Sequence, residues 1–119
     1  MKKYIPITNA TREANFLKIE FYYNLGGMNY FTGRPENRGY YISVSPVYKN
    51  GITESYTSFT GAKQCLKAVP RKSEKAQREA IAIAPEALTD LIDLVCAKNN
   101  INVEAARDIL NFITEGAKQ

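Results

Sequence analysis

Lys49-Asn50-Gly51 lies between two β-prone runs, Tyr40 to Tyr48 and Ile52 to Thr60. Asn-Gly is the pair that most readily supplies the two positive-φ positions of a type I′ turn, so this stretch predicts a β-hairpin and commits the middle of the chain to antiparallel pairing. In its first arm Tyr40, Ile42 and Val44 share one face and Tyr41, Ser43 and Ser45 the other. Pro46 offers no amide donor, so the arm is expected to end there, or to have an edge or a bulge on that side.

Upstream, Leu17, Ile19, Phe21 and Tyr23 alternate with Phe16, Lys18, Glu20 and Tyr22, which predicts a half-buried strand over 16–24. Tyr4-Ile5-Pro6-Ile7 is a short opening segment, and 8–15 fits either one capped helical turn or a loop. After Gly26-Gly27, Met28 to Thr32 is expected to return alongside that strand, and Gly33 to Gly39 to be a solvated connection. Ala62 to Val69 fits either a last strand or a helical turn; Pro70 limits any helix, and the strand is the preferred reading.

Beyond Pro70 the period changes. Ser73 suits an N-cap for a helix over 73–84, and Pro85 fits the first turn of a second helix over 86–98. Leu88, Leu91, Ile92 and Val95 give that helix an apolar stripe. Asn102 is positioned to cap a third, 103–115, buried through Val103, Ala106, Ile109, Leu110 and Ile113 and stopped by Gly116. Strands first and helices afterwards predict one α+β domain over 1–119, with a mainly antiparallel sheet of four to five strands in 16–69 and two to three helices packed on one face.

Composition narrows function by exclusion. The chain has no histidine and two cysteines, Cys65 and Cys96. That removes the commonest general base, excludes Ser-His and Cys-His pairs, and leaves too few soft ligands for a zinc site. No Walker pattern and no GxGxxG occurs. No catalytic residue, metal or cofactor is therefore assigned, and no enzyme activity is expected. The apolar stretches are too short to span a bilayer, and MKKYIPITNATREA lacks the apolar region of a signal peptide, so a cytoplasmic location without membrane contact is expected.

The net charge of +4 conceals an asymmetry: residues 1–80 carry thirteen Lys or Arg against six Glu, residues 81–119 three against six acidic residues. The basic half is also the aromatic half, since all eight tyrosines precede position 60. The densest run is Lys63, Lys67, Arg71, Lys72, Lys75 and Arg78. In a regular strand Lys63 and Lys67 share a side, and Lys75 and Arg78 share a helix face. Such a stripe suits phosphates or an acidic protein surface, although a solvated junction diluted by Glu74 and Glu79 accounts for it as well. Tyr22, Tyr41, Tyr48 and Tyr56 are candidates to stack bases or anchor a protein interface, set against ordinary cross-strand packing. Arg34 and Arg38 flank Pro35-Glu36-Asn37 in a loop that could grip phosphate or carboxylate. The polar side of the 103–115 helix is acidic, which excludes it as a DNA-reading helix; its apolar stripe leaves a homodimer through the C-terminal helices open.

Together YIPITNATREANFLKIEFYY, GGMNYF, RGYYISVSPV and YTSFTGAK resemble small, largely uncharacterised proteins carried by plasmids and phages of gut bacteria. That resemblance covers the first two thirds of the chain and implies a protein of a mobile genetic element, a setting that includes inhibitors of host defence such as anti-CRISPR proteins. It transfers no functional residue. The expectation is a small non-enzymatic binding protein that docks on a bacterial protein or nucleoprotein complex, of the kind formed by a nucleic-acid-guided nuclease. The contact would run through the tyrosine-bearing sheet and the basic junction. Single-stranded nucleic-acid binding by the same groups, and sequestration of a phosphorylated small ligand by the arginines, are the alternatives.

Overall fold

The longest strand organises the computed structural model, which describes residues 2–30, 32–55, 57 and 59–103. In chain order the elements are β1 (Lys2–Pro6), β2 (Phe16–Asn24), β3 (Gly27–Asn29), β4 (Arg34–Glu36), β5 (Gly39–Asn50), β6 (Thr53–Ser55), β7 (Ala62–Ala68) and α1 (Glu74–Asn99). β5 pairs antiparallel with β2 along one edge, from Phe16↔Val47 to Asn24↔Gly39. Its other edge is shared, β7 taking Gly39 to Val44 and β6 taking Tyr48 to Asn50. With β1 outside β2, this makes a five-stranded sheet, while β3 and β4 form a separate two-stranded hairpin. The α+β class with a mainly antiparallel sheet is as expected from the order of periodic segments.

Two details explain how β5 passes through Pro46. Asn15 N–H donates to the Val47 carbonyl at 3.0 Å on the β2 side. The polar groups of the neighbouring residue, Pro46, therefore point to the other edge, between β7 and β6, where Thr57 Oγ1 donates to its carbonyl at 3.4 Å. The missing amide falls where no ladder bond is needed. The turn at the end of β5 also departs from expectation. Gly51 and Ile52 form the two-residue loop, and among Asn50, Gly51 and Ile52 only Gly51 takes positive φ, at 62°. One glycine in the first loop position matches a type II′ turn rather than the type I′ turn that Asn50-Gly51 suggests.

Two further differences lie upstream. The opening segment is a strand, β1, with Ile5 opposite Leu17 and buried against the core. β3 does not return along β2; it pairs with β4, so Arg34 to Glu36 is hairpin strand rather than loop.

One helix covers the sheet, where two were expected over 73–98. Ala76, Ala80, Ala84, Leu88 and Ile92 recur every four residues, with Ala87, Leu91 and Val95 beside them, and all are buried. That stripe keeps its phase across Pro85. A proline inside a helix costs about 3 kcal/mol through the lost amide and the clash with the preceding turn. Fully burying a Leu, Ile or Val side chain returns about 1.5–3 kcal/mol each, and Leu88, Leu91, Ile92 and Val95 supply four, so an uninterrupted helix wins. Ser73 caps its start by accepting from Ala76 N–H at 3.0 Å, and Asn100, with φ of 52°, ends it in the left-handed region. The expected third helix, 103–115, lies outside the described residues apart from Val103, which is bridged to Ile7. The core consists of the helical stripe against Leu17, Ile19, Phe21, Tyr40, Ile42, Val44 and Leu66. No helix among the described residues is long and apolar enough to cross a membrane.

Candidate functional site

Alternation along β2 and β5 sends every second residue to the face away from α1. Lys18, Glu20 and Tyr22 there stand opposite Ser45, Ser43 and Tyr41, with Lys63 and Cys65 of β7 beyond them. Tyr22 and Tyr41, directly paired, stack with centroids 5.9 Å apart and planes at 22°. Tyr41 is buried, and its hydroxyl donates to the Asn37 carbonyl at 2.9 Å. The β3–β4 hairpin brings Glu36 to this face. Its carboxylate pairs with Lys63 Nζ and accepts from Asn24 and Asn29 side-chain amides, each at 3.2 Å. Between hairpin and sheet opens a cavity of about 610 Å³ lined by Asn29, Thr32, Arg34, Glu36, Tyr41 and Lys63, among others.

The protonation states here are fixed around neutrality. Bonding from Lys63, and then from Asn29, holds the Glu36 carboxyl below its ordinary range. Burial above all pushes the Tyr22 and Tyr41 phenols up to about 12, with Glu36 adding to both. An ionised carboxylate and two neutral phenols suit holding and orienting, because none of the three groups titrates near pH 7. The other end of the face repeats the device: Glu54 accepts from Tyr4 at 2.6 Å and from Lys18 at 3.0 Å.

The basic run does not form one stripe. A register irregularity in the β5–β7 ladder at Tyr40/Tyr41 places one extra residue in β7. Lys63 consequently lies on the outer face with Glu36 and Tyr41, whereas Lys67 turns to the helix side and pairs with Glu79 at 2.9 Å. The expectation that these two lysines share a side fails for that reason. The other cations gather where β5 begins, β7 ends and α1 starts. Tyr40 ties this junction together: its hydroxyl donates to the Ser73 carbonyl at 3.3 Å and accepts from Ser73 N–H at 3.2 Å. Val69 N–H donates to the Arg38 carbonyl at 3.0 Å, and Lys72 Nζ stands 5.8 Å from the Tyr23 ring. Arg38, Arg71, Lys72, Lys75 and Arg78 are exposed and make no ion pair among the described residues. Farther along α1, exposed Glu86, Asp90 and Asp93 reverse the sign. The molecule is therefore basic at the sheet-to-helix junction and acidic along the far half of its helix.

Of the tyrosine candidates, Tyr22 and Tyr41 occupy each other, Tyr48 is exposed, and Tyr56 lies outside the described residues. The apolar stripe expected over 86–98 is covered by this chain's own sheet. Sequence reasoning missed Glu36 as the hub between hairpin and sheet; the only local hint is an acid set between Arg34 and Arg38. No protein-family model, curated protein or solved structure matches the chain.

Proposed function

We propose that this chain is a non-enzymatic cytoplasmic binding protein of a mobile genetic element, which docks by its basic junction on an acidic surface of a bacterial protein or nucleoprotein complex. The observation that carries the reading is the gathering of Arg38, Arg71, Lys72, Lys75 and Arg78 around the start of α1, exposed and in no salt bridge among the described residues. Unpaired cations on a rigid frame keep their field for an incoming anion and steer its approach. Lys63 and Lys67, already neutralised by Glu36 and Glu79, contribute little to it.

The chain's resemblance to plasmid and phage proteins supports a defence complex as the partner, acted on as an inhibitor acts, by occupation. Direct binding of single-stranded nucleic acid is weaker support for the same cations. Base stacking needs free aromatic faces, and two of the four candidate rings, Tyr22 and Tyr41, are stacked on one another.

The test is affinity capture from a bacterial lysate by the intact chain and by an Arg71→Glu, Lys72→Glu, Lys75→Glu variant. Capture of a discrete partner by the first and not by the second is expected. Equal capture by both, or steeply salt-dependent binding of an oligothymidylate in place of a protein, overturns the reading.

A further inference from the structure

The β3–β4 hairpin is built inside out. Its polar residues face the sheet: Asn29 donates to Glu36, and Glu36 is held by Asn24 and Lys63. Its described apolar residues face solvent. Met28, directly opposite Pro35, is 53% exposed, Tyr30 is 92% exposed and Leu25, before the Gly26-Gly27 bend, is 70% exposed. A hairpin stabilised by its own chain orients the other way, apolar side in. β3 and β4 pair chiefly with each other, so the hairpin stands off the sheet and is tied to it mainly through a carboxylate.

Two guanidinium groups flank this apolar surface. Arg34 pairs in register with Asn29, and the Arg38 side chain crosses the bend so closely that a Cβ on Gly26 would fall 2.9 Å from its Cγ. Both arginines are exposed and have no ion pair among the described residues. Elsewhere among the described residues the large exposed apolar side chains are Tyr48 and Ile52 on the β5–β6 hairpin and Ile83 and Leu94 along α1. Methionine and tyrosine together, flanked by arginine, resemble the anchors that carry binding energy at protein interfaces.

We propose that the hairpin inserts Met28 and Tyr30 into an apolar pocket rimmed by carboxylates on the partner protein; this rests on the reading of the chain as a docking module. Charge selects that occupant over two others. A second copy docked on the same face would set Arg34 and Arg38 against their own counterparts, and a nucleic acid would satisfy the arginines while leaving Leu25 and Met28 with nothing apolar to cover them.

A random peptide library displayed on phage, panned against the full chain, provides the probe. Enriched peptides are expected to combine Leu, Phe or Trp with several Asp or Glu. Synthesised winners should lose about tenfold or more in affinity both for Met28→Ser, Tyr30→Ser and for Arg34→Glu, Arg38→Glu chains. These side chains are exposed, so both variants should melt as the parent does, and a chain of either kind that fails to melt cooperatively is replaced by the single Tyr30→Ser substitution. No enrichment, winners without that composition, or equal affinity for parent and variants overturns the anchor. So does oligothymidylate binding that Met28→Ser, Tyr30→Ser abolishes. If reversal at Arg71, Lys72 and Lys75 ends lysate capture while Met28→Ser, Tyr30→Ser leaves both capture and peptide binding intact, the anchor falls and the docking module stands. If capture survives both sets of substitutions, the two readings fall together.

Discussion

Replacing Glu36 with Gln should loosen the β3–β4 hairpin without loosening the sheet beneath it. The substitution keeps the side chain's size and one acceptor, but removes the charge that pairs with Lys63 and strengthens the bonds from Asn24 and Asn29. The Lys63 and Glu36 side chains retain 36% and 22% of their exposure, so solvent screens the pair and its own contribution falls within about 0.2–1 kcal/mol. Weakening two charge-assisted amide bonds brings the total to about 1–2 kcal/mol. Because β3 and β4 pair chiefly with each other, that free energy governs a local opening and does not enter the core. Amide exchange reads the difference directly. The Gly33 N–H, bonded to the Asn29 carbonyl at 2.8 Å, should exchange roughly 5–30 times faster, while the amides of Ile19 and Ile42 stay as in the parent. A Lys63→Met chain loses only the screened ion pair and should exchange at most about fivefold faster, and adding it to Glu36→Gln should change little beyond Glu36→Gln alone. Equal acceleration of the Ile19 and Ile42 amides would refute the argument, since the hairpin would then be part of the cooperative core; so would an unchanged Gly33.

Other expectations follow from the same structure. Leu88→Ala empties a fully buried position under the helix and should cost about 2.7–5 kcal/mol in denaturant unfolding, against a negligible effect of Leu94→Ala on the exposed side. Pro85→Ala restores an amide donor in a helix whose stripe is already continuous, and should raise stability by about 1–3 kcal/mol; a lower midpoint would mean that the proline is needed for packing. Gly39→Ala should destabilise by about 1–3 kcal/mol, because the new Cβ collides with the Lys67 carbonyl, and the β5–β7 amides should lose protection first. Glu36, Glu54 and Glu79 all have carboxyls held below their ordinary value of 4.5, so their contribution is complete above that pH and is lost as pH falls through the lowered values. The thermal midpoint should accordingly drop below pH 4.5, and less steeply in Glu54→Gln, whose carboxylate bridges Tyr4 and Lys18 of the sheet, than in the parent.

Much of this architecture was legible wherever a local pattern had no competitor. Leu17, Ile19 and Phe21 alternate without interruption, and the buried face of β2 is the one they predict. Ser73 starts the helix as expected, because capping is a contest within one turn of chain. Reading failed where a local signal was opposed from a distance. Pro85 argues for a break, and only the sheet under Leu88, Leu91, Ile92 and Val95 outweighs it. Lys63 and Lys67 look equivalent in β7, and the ladder irregularity beside Tyr40 separates them. Tyr41 alternates as an outward residue should, yet Tyr22 and the bond to Asn37 enclose it.

Sequence by itself determined the class of fold and the sign of each half, because periodicity and charge are properties of neighbouring residues. Tertiary structure alone decided which cations remain unpaired, that Glu36 ties the hairpin to the sheet, and that Met28 and Tyr30 face water. Those outcomes depend on residues brought together across the chain, Asn24 with Glu36 and Glu36 with Lys63, whose meeting follows from strand register and one displaced residue in a ladder. No window short enough to read locally contains both members of the Glu36–Lys63 pair.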